Sequence, residues 1–376
     1  MLRAGFARVE ITPDKSADLI GYEFRQSDLP PGNIGVHDPL FARVLVLDDG
    51  QQRAAMVSLD HCILLAPFAR DLRRAVARQL KTSADRVIVS CTHTHSGPFY
   101  RKSAWLRDCV TAAAAQAAGL TYAVTISAQE SPLGLGYNRR VPTSQGLRHC
   151  WNPQEFPELD PGPAPDPTCT VLVLRQVNGP RQYLLWSVGA HPVVLGKTSR
   201  LVSADWPGRA CQLIDEAVPG RQSLFLLGAC GDVHPWIATQ EDPAMIEPVA
   251  RAAAGLVTLL SHAGRGSAAA PTLSIVTKRV RIGRSTLDLA VWRLAGVWIV
   301  AAPVELFGAL AAALRRQVTG PVMLATNSNG STGYWPTRAA FAEGGYEVES
   351  ARAMGRKPGD GERLVQALVG LIAAKR

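Results

Sequence analysis

Apolar runs of strand length alternate with longer amphipathic stretches from one end of the chain to the other, and this rhythm restricts the fold more than any other feature. Residues 41–48 and 54–60 read as two strands separated by Asp49-Gly50, a hairpin signal. Residues 67–81 have helical spacing, 85–90 form a short β-rich run, 102–119 a helix and 122–129 a strand. Strands are expected again at 169–176 and 182–190, a helix at 205–217, a strand at 223–227 and a helix at 244–261. Three strand-like runs follow at 272–282, 286–294 and 297–302, then a helix over 305–317, a strand at 322–326 and a last helix at 361–374. Such interleaving predicts an α/β fold with sheets covered by helices. Strands that follow one another directly require mixed rather than purely parallel sheets. A single domain, 1–376, is expected. The polar stretch 141–167, with four prolines between Pro161 and Pro167, reads as a long excursion near a site or a flexible lid.

Composition removes several classes of function. With 47% hydrophobic residues and no long block of like charge, the chain can bury a large core and is not a disordered segment. The formal charge of +9 is spread along the chain without a basic run, so no nucleic-acid partner is expected. Seven scattered cysteines form no CxxC pair and are expected to be reduced core thiols. No transmembrane segment is expected, because no stretch approaches the roughly 18 apolar residues of a span. The opening residues Met1–Phe6 lack the apolar region of a secretory leader, which makes a cytoplasmic location the expectation.

Chemistry-bearing residues cluster where strands are expected to end, which is where α/β enzymes place their sites. Thr92-His93-Thr94-His95-Ser96-Gly97-Pro98 offers two imidazoles that an extended backbone would turn the same way. They suit a metal, one ligand plus a proton carrier, or two satisfied core histidines. His191 follows a second strand. Asp205 reads as a helix N-cap or as a carboxylate behind a ligand. Gly228-Ala229-Cys230-Gly231-Asp232-Val233-His234-Pro235 forms a third strand-end loop, in which Cys230 is a weak nucleophile candidate. Glu305 reads as a ligand or as an acid favouring a helix dipole. Tyr334 lies in a glycine-bearing loop and reads as packing or chemistry.

Taken in order, THTHSGP, HP with SADWPG, GACGDVHP, PVE, and GYWPT with EGGYEVES resemble the catalytic domain of the neutral/alkaline ceramidase family. Val9-Glu10-Ile11-Thr12-Pro13, Gly21-Tyr22, His37-Asp38-Pro39-Leu40 and Gly136-Tyr137-Asn138-Arg139-Arg140 fit as well, so the resemblance runs from about residue 5 to 355. It implies one Zn2+ held by His93, His191, Glu305 and Tyr334, with His95 beside the metal and Arg139 implicated in activity. Asp60 and Asp205 are implied more weakly, as carboxylates behind the ligands. It further implies hydrolysis of an amide, with His95 as proton carrier, Tyr334 as ligand or oxyanion donor, and Arg139 binding a polar or anionic substrate group. The chain departs from the pattern where the family has a serine: His234 stands there, a second proton-carrier candidate or a ligand to substrate or a second metal. No C-terminal immunoglobulin-like domain is expected. The departures favour a soluble small-molecule amide over long-chain ceramide. An esterase or lactonase and a non-catalytic metal-binding relative are the competing readings. Oligomeric state stays open. Trp151, Trp206, Trp236 and Trp335 are candidates for pocket walls or for plain packing.

Overall fold

The computed structural model describes residues 1–14, 17–22, 29–264 and 273–374. Its strand sequences alternate between two apolar faces, and this decides the architecture. In the strand Phe41–Asp48, Ala42, Val44 and Val46 join one core while Leu45 and Leu47 join another. In Gln182–Val188, Leu184 and Trp186 face one way, Tyr183 and Leu185 the other. Strands apolar on both faces need a layer on each side.

Two sheets meet this need. The first contains β1 (Arg3–Glu10), β2 (Phe41–Asp48), β3 (Arg53–Leu59), β4 (Val87–Cys91), β5 (Tyr122–Pro132), β6 (Thr168–Gln176), β7 (Gln182–Val188) and β8 (Arg221–Leu227), in the order β8-β7-β6-β5-β1-β2-β3-β4. The second contains β9 (Leu273–Ile282), β10 (Ser285–Leu294), β11 (Val297–Ala301) and β12 (Val322–Ala325), in that order. Most neighbours are antiparallel, but β3–β4, β7–β8 and β11–β12 run parallel. The first sheet curls until Ser58 of β3 donates to the Phe225 carbonyl of β8 at 2.6 Å.

The sheets stack face to face. Leu45, Met56, Leu172, Leu185 and Leu224 of the first meet Trp292, Ile299 and Met323 of the second. Helices α1 (Ala66–Leu80) and α2 (Ala104–Gly119) cover one half of the first sheet's outer face. Helices α3 (Asp205–Glu216) and α4 (Ile246–Ala263) cover the other half. Helices α5 (Gly308–Gln317), α6 (Arg338–Glu343), α7 (Tyr346–Ala353) and α8 (Asp360–Ala373) cover the second sheet. The result is a four-layer α/β/β/α stack, the mixed α/β arrangement the alternation predicts. Among the described residues no immunoglobulin-like sandwich stands apart from it.

Some local expectations are corrected. Residue 305 does not open a helix: Glu305–Leu306 is a short strand paired in parallel with Tyr334–Trp335, and α5 starts only at Gly308. The strand expected over 272–282 begins at Leu273, and Thr272 lies outside the described residues. Segment 141–167 carries a hairpin, Arg140–Thr143 with Gly146–His149. Val141, Cys150 and Leu159 from this stretch bury themselves around Tyr137. One stretch, Pro243–Ala263, is long and apolar enough to cross a membrane by length and composition. Within it α4 turns Val249, Ala250, Ala253 and Val257 onto the first sheet.

Candidate metal centre

The parallel pairs bring strand C-terminal ends of both sheets to one place. His93 follows β4, His191 follows β7, Cys230 follows β8 and Glu305 follows β11. Backbone hydrogen bonds lock the loops together: Thr326 N–H donates to Leu227 O at 2.7 Å, Asn329 N–H to Val89 O at 2.7 Å, and Gly231 N–H to Leu306 O at 2.9 Å. His93 sits at φ +75°, a left-handed backbone rare for a side chain of this size. That turn, not an extended strand, brings its ring to 4.8 Å from the His95 ring.

The histidine orientations are set by carbonyls. His93 Nδ1 lies 2.9 Å from Cys62 O, and His191 Nδ1 lies 3.1 Å from Val233 O. A carbonyl only accepts, so each Nδ1 carries the proton and each Nε2 presents its lone pair. Both Nε2 atoms face the same carboxylate oxygen: Glu305 Oε2 is 3.5 Å from His93 Nε2 and 3.4 Å from His191 Nε2. All three side chains are buried, and neither His191 Nε2 nor Glu305 Oε2 has a hydrogen-bond partner. Three buried electron-pair donors converging on one point repel one another unless a cation or a proton lies between them, and this donor set fits zinc.

Without a metal, a proton relieves the convergence. Burial opposes charge on His93, but Cys62 and Glu305 outweigh it and raise its pKa well above the usual imidazole value. His191, buried beside Arg139 and His93, falls to about 4 and stays neutral. Burial would raise the Glu305 carboxyl, yet the two imidazoles hold it well below the usual carboxylate range.

Arg139 is the second hub. Its Nε donates to Glu347 Oε1 at 2.7 Å, Nη2 to Gly231 O at 2.9 Å, and Nη1 to His234 Nε2 at 2.8 Å. Its guanidinium carbon also lies 5.6 Å from the centre of the Tyr334 ring. Burial raises the Tyr334 phenol well above its ordinary pKa, Glu305 adds to this, and Arg139 only partly offsets it. His234 Nδ1 lies 3.1 Å from Trp151 O, so with Arg139 on the other nitrogen both ring nitrogens are engaged and burial favours the neutral ring. These contacts hold the His234 ring against the Arg139 guanidinium, and both residues line a neighbouring cavity.

A cavity of about 830 Å³ opens beside these groups, with His95, Arg139, His234, Tyr334, Glu155, Lys197 and Glu241 among its lining. Gly21 presses on the His95 ring, where an added Cβ would come within 2.4 Å at a φ of +119°. Tyr22 meets the same ring edge-on at 5.0 Å. Among the four tryptophans, Trp151 lines the cavity, Trp206 and Trp335 are wholly buried, and Trp236 packs on Tyr137.

Among the described residues no hydrogen bond joins Asp60 or Asp205 to His93 or His191. Asp60 accepts from Arg43 at 2.6 Å and from Phe41 N–H at 2.9 Å. Asp205 caps no helix in the usual way. At φ +54° it accepts from the backbone N–H groups of Val194, Leu195 and Trp206, which braces the loop after His191. Burial raises its pKa to about 7. Sequence reasoning missed Glu347, a buried carboxylate joining Arg139, Arg140 and His149. Its only sequence signal was the Gly344-Gly345-Tyr346-Glu347 run.

Comparisons with known proteins follow this geometry. No family model matches the chain. Neutral ceramidase A of Dictyostelium discoideum is 26% identical over 235 residues, covering 56% of this chain and 31% of that protein, so the match spans about a third of the relative's length. The crystal structure of neutral ceramidase from Pseudomonas aeruginosa has a TM-score of 0.80 at 15% identity, covering 98% of this chain and 73% of that one. A ceramidase complexed with C2 gives 0.81 at 14% identity, covering 100% and 75%.

Proposed function

We propose that this chain, neutral-ceramidase-like in sequence and fold, is a zinc-dependent hydrolase that cleaves the amide (N-acyl) bond of a polar small molecule. One observation carries the reading: His93 Nε2 and His191 Nε2 converge on Glu305 Oε2 beside a cavity bearing His95 and Tyr334, with His191 Nε2 and Glu305 Oε2 lacking any hydrogen-bond partner.

His93, His191 and Glu305 would hold the metal. When bound, zinc supplies Lewis acidity toward the carbonyl and lowers the pKa of a coordinated water. The protein's own groups do the rest. Tyr334, beside Arg139 and lining the cavity, would donate a hydrogen bond to the substrate oxygen as charge develops there. His95, whose Nε2 is 3.4 Å from His93 Nε2, takes a proton from the attacking water and returns it to the leaving amine. Glu347 and His234 keep the Arg139 guanidinium in place. The cavity lining mixes polar side chains, Asn152, Gln154, Glu155, Thr198 and Glu241, with apolar Trp151, Phe156 and Val193. We infer from the polar share a soluble metabolite rather than long-chain ceramide, in a protein of the cytoplasm.

The test uses matched amide and ester substrates of one short acyl group, assayed before and after chelation and zinc readdition. Zinc-dependent turnover with amide preferred is expected. Ester-only turnover would move the chain to the esterase or lactonase reading, and turnover unaffected by chelation would remove the metal from the mechanism.

A further inference from the structure

The apolar share of the cavity is almost entirely aromatic. Phenylalanine, tyrosine and tryptophan make up 6% of the chain, yet they supply five of the nineteen residues that line the cavity: Tyr22, Trp151, Phe156, Tyr334 and Tyr346. Among the described residues, Val193 is the one aliphatic hydrocarbon side chain in that lining. A wall built to hold an alkyl chain would carry the opposite mixture.

The rings flank both the proposed proton carrier and the proposed oxyanion donor. Tyr22 meets the His95 ring edge-on at 5.0 Å, and its hydroxyl donates to Leu195 O at 2.8 Å. Tyr346 stands 5.6 Å from Tyr334 and 5.6 Å from Trp151, edge-to-face with both at 69° and 78°. Trp151 stacks on His149 at 5.0 Å and 13°, and its carbonyl accepts from His234 Nδ1 at 3.1 Å. His149 Nε2 in turn lies 2.8 Å from Glu347 Oε2. Trp151 is thus fixed from two sides, while Tyr346 is 43% exposed.

Shielding of Arg139 does not account for this set. The guanidinium carbon lies 5.1 Å from the Trp151 ring centre and 5.9 Å from that of Tyr346. Yet Glu347, Gly231 O and His234 already engage the guanidinium, Tyr22 packs on His95 instead, and a ring placed only to shield would not be left 43% exposed. We propose, resting on the hydrolase reading, that the substrate carries an aromatic ring next to the scissile amide, on its acyl or its amine side. Ring pairs in offset or edge-to-face contact gain more than the burial of their area, because the electron-poor edge of one ring meets the electron-rich face of the other. A saturated ring of the same size buries as much hydrocarbon and lacks that gain. A flexible alkyl chain also loses rotamer freedom that a planar ring never had.

The test compares kcat/KM of the zinc-loaded full chain on two matched pairs of amides. Phenylacetyl against cyclohexylacetyl on one small amine reads the acyl side. N-acetylphenethylamine against its cyclohexyl counterpart reads the amine side. The methylene spacers keep the ring out of conjugation with the amide, so the chemical step is alike within each pair. A phenyl preference of about 10-fold on one side is expected, and the ratio should fall towards one in Tyr346→Leu and in Trp151→Leu. The exposed Tyr346 can be replaced without opening the core, so this ratio is readable even if Trp151→Leu does not fold. Ratios at or below one on both sides overturn the inference and leave the hydrolase reading intact. A phenyl preference that Tyr346→Leu and a folded Trp151→Leu both keep overturns the assignment to these rings. Where none of the four amides is hydrolysed, calorimetric binding of the same compounds decides: tighter binding of a phenyl amide than of its partner sustains the inference without the reaction, and equal or absent binding overturns it.

Discussion

At the residue scale, the centre depends on groups whose roles were partly readable from type alone. His93, His191, Glu305 and Tyr334 come from four separate strand-end segments, and the structure brings them together. What orients them was not legible, because the partners of both histidines are carbonyls of Cys62 and Val233, which carry no residue-type signal. For the same reason the carboxylates chosen to support the ligands, Asp60 and Asp205, turn out to brace backbone instead. Two substitutions probe this level. Tyr334→Phe keeps the ring and removes the donor, so kcat should fall by about 10²–10³ while zinc content stays unchanged, measured by steady-state kinetics and elemental analysis. Glu347→Ala leaves the Arg139 and Arg140 guanidinium groups without their shared buried carboxylate, and urea unfolding should report a loss of about 3–5 kcal/mol.

At the element scale, the interleaving of apolar strand-length runs with amphipathic helical stretches was the readable signal. The short elements were not. Glu305–Leu306 was read as helix because a helix follows at once, and two residues are too few to show a period. Yet this two-residue ladder, with Glu305 opposite Tyr334, sets the proposed ligand beside the proposed oxyanion donor. Trp335 anchors the second strand: it is fully buried, and its Nε1 donates to Thr332 Oγ1 at 3.0 Å. Trp335→Ala should therefore destabilise the fold by about 3–5 kcal/mol and also lower kcat, because Tyr334 loses its support. Thermal unfolding and kinetics on the same preparation check both effects.

At the scale of the whole molecule, mixed sheets covered by helices were predictable, but the stacking of two sheets was not. It depends on pairings such as β6 with β5 and β11 with β12 and on which face each strand turns to the shared core. Burial in such a stack shifts ionisation. Asp215 on α3 is raised by burial from 3.8 to about 6, which Ser223, Arg43 and Arg8 only partly offset. Its raised pKa favours the folded state below about pH 4, and that contribution is lost as pH rises through 6. His61, whose burial lowers its pKa to about 4, acts in the opposite sense over an overlapping range, so the informative quantity is a difference. Asp215→Asn should gain stability relative to wild type as pH rises from about 4 to about 6 and then level off, measured by denaturant titrations at matched pH.

The central claim is that loops from both sheets assemble one metal site, and metal content tests it most directly. Elemental analysis of the purified chain after zinc loading and gel filtration, with His93→Ala, His191→Ala and Glu305→Ala in parallel, should give about one zinc per wild-type chain and a marked loss in each variant. Folded wild-type protein that retains no zinc, or variants that retain it as well as wild type, would contradict the account.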